Sequence, residues 1–266
     1  LMPENTRGVK EVSVMIWVQW LDFVVPLAYP CPQQPSTKVP MMQEESPFNS
    51  IPPVPLILVL MIAGIELTLS AAGNGYIGGA QGIGWRSNAF QDYAFAPAVM
   101  TEIFDRGRGS FDLWKRFVTY AFVHFSFTHA LWGVVLLLAL GKFVGEAFRP
   151  IAFFILFFTC TILGAAIYGA LSWQNSPLVG AYPGIYGLIG AYTYLMWLAL
   201  ERLGDNQLKA FQLIGILLGL MLVYSMIFGS SPTWIAEVAG FVVGLAIAPL
   251  LAPGGWSAFL IRLRRR

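Results

Sequence analysis

The chain is poor in charged residues, and this shortage decides its class. Asp, Glu, Lys and Arg make up only 11% of its 266 residues, whereas a soluble domain carries roughly a quarter. Hydrophobic residues reach 57%, so the composition predicts a multi-pass membrane protein. The net charge of +2 is too small to indicate a nucleic-acid partner, and aromatic and basic residues are not interleaved.

Cysteine and histidine are also scarce, which argues against a metal or redox centre. The two cysteines, Cys31 and Cys160, are not spaced as metal or redox ligands, and Cys160 lies in an apolar run that is typical of plain packing. His124 and His129 are separated by five positions, whereas residues on one helix face are separated by three or four. The sequence offers no third ligand beside them. We therefore expect no metal and no other cofactor.

Six apolar runs are long enough to cross a bilayer as helices, which takes roughly 20 residues each. They lie near residues 54–73, 121–143, 150–171, 180–200, 208–228 and 233–252. The stretch 74–119 is long and mixed in character, so we expect an ordered loop with short interfacial helices there. The sequence thus predicts an all-α membrane protein, a bundle of six transmembrane helices with a long first loop.

Basic residues concentrate after spans two, four and six. They are Lys142, Arg149, Arg202 and Lys209, followed by Arg262, Arg264, Arg265 and Arg266 in the tail. The loops at 172–177 and 229–232 carry no charge. Because basic loops stay on the cytoplasmic side, this distribution predicts that both termini are cytoplasmic.

The two ends of the chain fall outside the predicted bundle. Residues 1–50 contain an apolar run broken by polar residues and proline, followed by a proline-rich stretch. Two interpretations stay open: translation begins at Met41 or Met42, or the segment forms an amphipathic interfacial helix with a disordered linker. We divide the rest into a six-helix membrane domain (51–254) and a basic cytoplasmic tail (255–266).

Few polar side chains lie in or beside the predicted spans. Glu66 belongs to span one, His124 and His129 lie near the start of span two, Tyr182 heads span four, and Glu237 belongs to span six. Because a charge in the membrane is costly, such residues face a cavity or a partner. Taken alone, each acid is also explained by a structural pair with a tyrosine or histidine that locks two helices together.

Glycines in spans four and six predict close contacts between helices. Their spacing leaves one face of each helix without side chains, so that two backbones can approach. These residues are Gly180, Gly184, Gly187 and Gly190 at span four, and Gly240 and Gly244 in span six.

Three stretches, together with the topology, resemble the rhomboid family of six-span intramembrane serine proteases. R-F-V-T-Y-A-F-V-H-F-S-F-T-H-A-L-W-G (116–133) is similar to the family's entry into span two, which ends in H-x-x-x-N. L-V-G-A-Y-P-G-I-Y-G-L-I-G-A-Y (178–192) is similar to its G-x-S-G and the glycine-rich helix that follows. A-E-V-A-G-F-V-V-G-L (236–245) is similar to its A-H-x-x-G-x-x-x-G. The resemblance covers about residues 54–252 and implies the rhomboid fold with a membrane-embedded first loop.

The resemblance also implies which positions would carry catalysis, and most of them are altered. The position of the nucleophilic serine is Tyr182, and the position of the basic histidine is Glu237. On the oxyanion side His129 is retained, but the expected asparagine is Gly133 and the glycine after the nucleophile is Pro183. Since acyl transfer needs an activated nucleophile beside a base, we expect no intact catalytic pair.

Three functions stay open at this level, all in a multi-pass protein of the bacterial inner membrane. The first is a pseudoprotease that contacts lipid and binds transmembrane segments of client proteins, with Tyr182 and Glu237 meeting as a hydrogen-bonded plug. The second is a transport or proton-relay protein that uses these two residues with His129 and Glu66. The third is an active protease with an unusual site, for which Ser126 is a neighbouring hydroxyl.

Overall fold

The structure, a computed structural model, describes residues 51–228 and 231–253 together with Arg264. Within these residues the chain is almost entirely helical and contains no strand, although an isolated antiparallel bridge joins Phe95 and Leu178. The predicted N-terminal segment and most of the predicted basic tail lie outside the described residues.

Among the described residues six long helices form the bundle, and we number them in chain order. They are α1 (Pro53–Gly73), α2 (Phe127–Ala147), α3 (Pro150–Leu171), α4 (Tyr182–Leu203), α5 (Gln212–Phe228) and α6 (Trp234–Leu251). Each coincides with one predicted span, so the all-α membrane fold is confirmed. By length and composition α1, α2, α3 and α6 can cross a membrane. The composition of α4 is more polar because it is rich in tyrosine and glycine, and α5 has only 17 residues.

The start of α2 is the largest departure from the predicted boundaries. The apolar run predicted a span from residue 121, but residues 123–126 are not helical and the helix begins at Phe127. The Oγ atom of Ser126 accepts a hydrogen bond from the backbone N–H of His129 at 3.2 Å, which caps the helix. As a result, the two histidines lie on either side of the helix start.

The long loop between α1 and α2 is folded, as the sequence predicts. Its short helices are Gly79–Gly82, Trp85–Tyr93, Pro97–Met100, Phe111–Trp114 and Arg116–Thr119, with a π-helical turn at Thr101–Asp105 and a 3-10 turn at Tyr120–Phe122. Phe95, Phe117 and Tyr120 of this loop form a buried cluster with Tyr168 of α3 and Ile235 of α6. The loop is thereby fixed against the bundle, beside the turns that lead into α2 and α4.

The backbones of α4 and α6 touch along their glycine faces. A side chain added at Gly240 or Gly244 of α6 would overlap the carbonyl oxygen of Pro183 or Gly187 in α4. A side chain added at Gly190 would likewise overlap the backbone of α6. Such close approach is how small residues let membrane helices associate. The contact holds the first turn of α4 beside the first turn of α6.

Candidate functional site

The turn before α4 joins three segments of the chain through backbone hydrogen bonds. Leu178 and Phe95 exchange two bonds of 2.6 and 3.2 Å, and the N–H of Gly180 donates to the carbonyl of Tyr120 at 2.9 Å. Gly180 has φ +101°, a conformation that favours glycine. A Cβ atom there would also come within 3.0 Å of the Tyr182 ring. Position 180 therefore requires glycine for both conformation and space.

Tyr182 is the first residue of α4, and its side chain lies against the start of α2. Its ring stacks on the ring of His129, with centroids 4.7 Å apart and planes inclined by 23°. Its hydroxyl donates a hydrogen bond to the carbonyl oxygen of His129 at 2.9 Å. The phenol is thus held by two contacts with a single residue, and the remaining surface of its ring is half-buried.

His124 is fully buried and connects two of the stretches that the sequence singled out. Its Nε2 accepts a hydrogen bond from the backbone N–H of Ala181 at 3.4 Å, so this nitrogen carries no proton. Burial, with a smaller contribution from His129, lowers the pKa of His124 to about 4. The two imidazole rings are 5.4 Å apart, and Nδ1 of His129 is buried without a hydrogen-bond partner among the described residues.

Gly133 and Pro183 contribute no hydrogen-bond donor at the places where the resemblance implies one. A Cβ atom at Gly133 would be 3.4 Å from Nε2 of His124, so this position faces the cluster but carries no side chain. Pro183 lies in the first turn of α4, where proline is tolerated because an N–H group there has no partner within the helix. Its ring packs against Gly164 of α3.

Glu237 lies in the first turn of α6, where its carboxyl group interacts with the phenol of Tyr186. Tyr186 follows Tyr182 by one helical turn, so both phenols lie on the same face of α4. Tyr182 interacts with Glu237 only electrostatically, because its hydroxyl donates to the carbonyl of His129. The contacts therefore differ from those of the expected plug. Tyr182 is bonded to the carbonyl of His129, Tyr186 interacts with Glu237, and no hydrogen bond joins Tyr182 to Glu237.

Glu66 forms a buried ion pair whose partner comes from the first loop. Nη2 of Arg86 lies 2.6 Å from Oε1 of Glu66, and Nη1 lies 3.1 Å from Oε2. The same Nη1 donates to the carbonyl of His124 at 2.7 Å, and the Ser70 hydroxyl donates to the carboxylate at 2.8 Å. Sequence reasoning singled out Glu66 but missed Arg86. The sequence signal that could have led to Arg86 was Glu66 itself, an acid within an apolar span that has no basic residue on its own helix.

Four of the described serines use their hydroxyl groups in structural contacts, and among the side chains that the structure describes no serine hydroxyl is bonded to a histidine side chain. Ser126 caps α2, Ser172 and Ser176 bond to Gln174 in the turn after α3, and Ser70 bonds to the carboxylate already paired with the loop arginine. Within the described residues no group of three His, Cys, Asp or Glu side chains is close enough to hold a metal ion.

Comparison with known proteins identifies the family. The family model of the rhomboid domain matches residues 111–254, which is more than half of the chain. The match begins at the end of the first loop and includes the turn before α4 and the first turn of α6. No curated protein matches the chain. With its helices in the order that the resemblance implies and the family model across the site, this protein belongs to the rhomboid family.

Proposed function

We propose that the protein is a rhomboid pseudoprotease, which keeps the family scaffold, does not hydrolyse peptide bonds, and binds transmembrane segments of client proteins. The observation that carries this proposal is the position of Tyr182. Its ring stacks on His129 at 4.7 Å, and its hydroxyl is bonded to the His129 carbonyl. A phenol held in this way fills the space in which the carbonyl of a scissile bond would have to lie.

The chemistry of the neighbouring groups supports a loss of hydrolysis. A phenol with an ordinary pKa near 10 is a poor nucleophile at neutral pH, and the carboxyl group of Glu237 interacts with the phenols of Tyr186 and Tyr182 rather than with a serine hydroxyl. Pro183 has no N–H, and Gly133 has no side chain, so two donors for an oxyanion are missing. Removing one such donor typically lowers the rate about 10²–10³-fold. Restoring the nucleophile and the base alone would therefore recover little activity.

Exposed apolar residues on α2 and α5 support the binding of a client helix. Leu131, Trp132 and Val135 on α2 and Ile216 and Leu220 on α5 each expose about half of their surface or more. In the bilayer such faces contact either lipid or another helix, and membrane helices associate by close packing. We assign client binding to these faces of α2 and α5, where it would serve to retain, chaperone or assemble the client.

The proposed location is the bacterial inner membrane, with both termini in the cytoplasm. The support is the group of Lys and Arg residues at or after the ends of α2, α4 and α6, since basic residues in a long loop such as the first one count for less in this rule. In this arrangement the site at the start of α4 lies toward the extracytoplasmic side. The proposed membrane domain spans residues 51–254.

A fluorophosphonate probe tests the loss of hydrolysis. We expect no labelling of the purified parent protein and weak labelling at best of a Tyr182→Ser, Glu237→His variant. Adding Gly133→Asn and Pro183→Gly should increase the labelling, because both donors would be restored. Labelling of the parent that disappears in Ser126→Ala, or in any other single serine variant, would overturn the proposal and identify an unusual active site.

Site-specific photo-crosslinking in the native host tests client binding. A photoreactive residue at Trp132 of α2 should capture a discrete membrane protein, whereas the same residue at Ile155 of α3, which is 44% exposed, should not. Recovery of no partner from either position would argue against a client-binding function. Equal recovery from both would show only random collision in the bilayer.

A proton-relay function is the weaker alternative. It would use Glu66, His129, Tyr182 and Glu237, but Glu66 is ion-paired with Arg86 at 2.6 Å. Both carboxylate oxygens of Glu66 accept hydrogen bonds from Arg86, and one of them also accepts from Ser70, so this acid is occupied by structural partners. The chain of groups that such a relay needs is therefore interrupted.

A further inference from the structure

An apolar groove of about 460 Å³ runs along the outside of the bundle between α3 and α6. Its lining includes Ile167 and Leu171 of α3, Trp173 just after that helix, and Trp234, Val238 and Val242 of α6. The lining side chains are apolar throughout, except for the N–H groups of the two indoles. The groove therefore suits an apolar occupant that has polar atoms only at one end.

The depth of the groove distinguishes between a lipid and a helix as its occupant. Trp234 begins α6, and Val242 follows eight positions later, which is about 12 Å along the axis. The hydrocarbon core of a bilayer is about 30 Å thick, so the groove extends from one interface to near the midplane. A transmembrane helix would need a groove along the full depth, whereas an acyl chain belongs to a single leaflet.

The mouth of the groove carries two tryptophans at the level of the membrane interface. Trp173 and Trp234 are 66% and 39% exposed, and neither indole N–H has a hydrogen-bond partner among the described residues. Tryptophan favours this level because its ring is apolar and its N–H needs an acceptor. The ester and phosphate oxygens of a phospholipid lie at the same depth and are such acceptors.

We propose that this groove binds one acyl chain of a phospholipid from the leaflet that faces the start of α6. The chain lies along Ile167, Val238 and Val242, and oxygens of the glycerol ester or phosphate accept hydrogen bonds from Trp173 and Trp234. The site holds its lipid whether or not the protein hydrolyses peptides, so it is independent of the proposed function.

Native mass spectrometry of the full chain, purified in a mild detergent, tests the site directly. We expect one retained phospholipid on the parent and its loss in Val242→Trp, which fills the inner end of the groove. Ile155→Trp is the matched control, because Ile155 of α3 is 44% exposed, Val242 is 56% exposed, and Ile155 does not line the groove. Equal retention in the two variants, or no retained lipid on the parent, would overturn the proposal.

The two indoles provide a second measurement in nanodiscs that contain brominated phosphatidylcholine. The contribution of each indole to the fluorescence is the difference between the parent and Trp173→Phe or Trp234→Phe. Bromine near the ester should quench this contribution more than bromine near the end of the acyl chain does. Each substitution keeps the ring, removes the donor, and should lower lipid retention about 3- to 10-fold. A dimer of the parent that Val242→Trp converts to a monomer would assign the groove to a second copy of the chain and contradict the proposal.

Discussion

Glu66 and Glu237 look alike in the sequence, since each is an acid in an apolar span, but the fold gives them different surroundings. Glu66 is 3% exposed and holds Arg86 of the first loop in an ion pair. Glu237 interacts with the phenol of Tyr186 and forms no ion pair with any described residue. The first acid anchors a loop, and the second lies at the position that the resemblance implies for the catalytic base. The partner, rather than the acid, decides the role.

His124 links these two regions. Its backbone carbonyl accepts a hydrogen bond from Arg86 at 2.7 Å, and its imidazole accepts one from the N–H of Ala181 in the turn before Tyr182. The ion pair in the first region therefore helps to position the turn in the second. Substitutions in either region should lower the stability of the other, to an extent that depends on the interaction removed.

The largest effect should come from breaking the ion pair with Arg86→Ala. This change leaves the Glu66 carboxylate buried and the His124 carbonyl without its donor. Losing one partner of a buried pair costs about 3–5 kcal/mol of unfolding free energy, so the thermal midpoint in detergent should fall strongly. Arg106→Ala is the matched control, because its pair with Glu102 is exposed and such pairs contribute about 1 kcal/mol or less. Similar losses in both variants would show that Arg86 is not a structural anchor.

Acidification should have the next largest effect, through the imidazole of His124. Its pKa is about 4 in the fold and near 6.5 in the unfolded chain, so between these values the unfolded chain binds more protons. The free energy of unfolding should therefore be flat above about pH 6.5 and fall by roughly 3 kcal/mol as the pH approaches 4.

Thermal melts from pH 7.5 to pH 4 measure this slope, and His124→Gln identifies its source. The glutamine carbonyl can still accept from Ala181 but does not titrate in this range. We expect a clearly flatter profile for the variant. Parallel profiles for the two proteins would assign the pH dependence to other groups.

The smallest effects should distinguish the two phenols of α4. Tyr182→Phe keeps the stack on His129 and removes one hydrogen bond to a carbonyl, a loss of about 1 kcal/mol. Tyr186→Phe removes the hydroxyl with which the carboxyl group of Glu237 interacts, and leaving this polar group with one partner fewer should cost about 1–3 kcal/mol. Denaturation of both variants in the same detergent compares these values. If Tyr182→Phe were the more damaging change, the partner assigned to Glu237 would be wrong.

The sequence predicted the helices well because the information is local. A run of about 20 apolar residues predicts a spanning helix whatever its neighbours are, and each predicted run coincides with a long helix. The predicted start of α2 was six positions too early, because residues 121–126 are apolar enough for a helix. There the turn depends on a cap from Ser126 and on the contacts of His124, and neither is visible in hydropathy.

The sequence also predicted which positions are altered relative to the rhomboid motifs, because spacing along the chain aligns Tyr182, Pro183 and Glu237 with them. The partners of these groups were decided only by the tertiary structure. Tyr182 bonds to the backbone of His129, Glu66 bonds to an arginine 20 positions away, and Glu237 interacts with Tyr186. A hydrogen bond depends on distances of about 3 Å between groups far apart in the chain, and those distances exist only once the helices have packed.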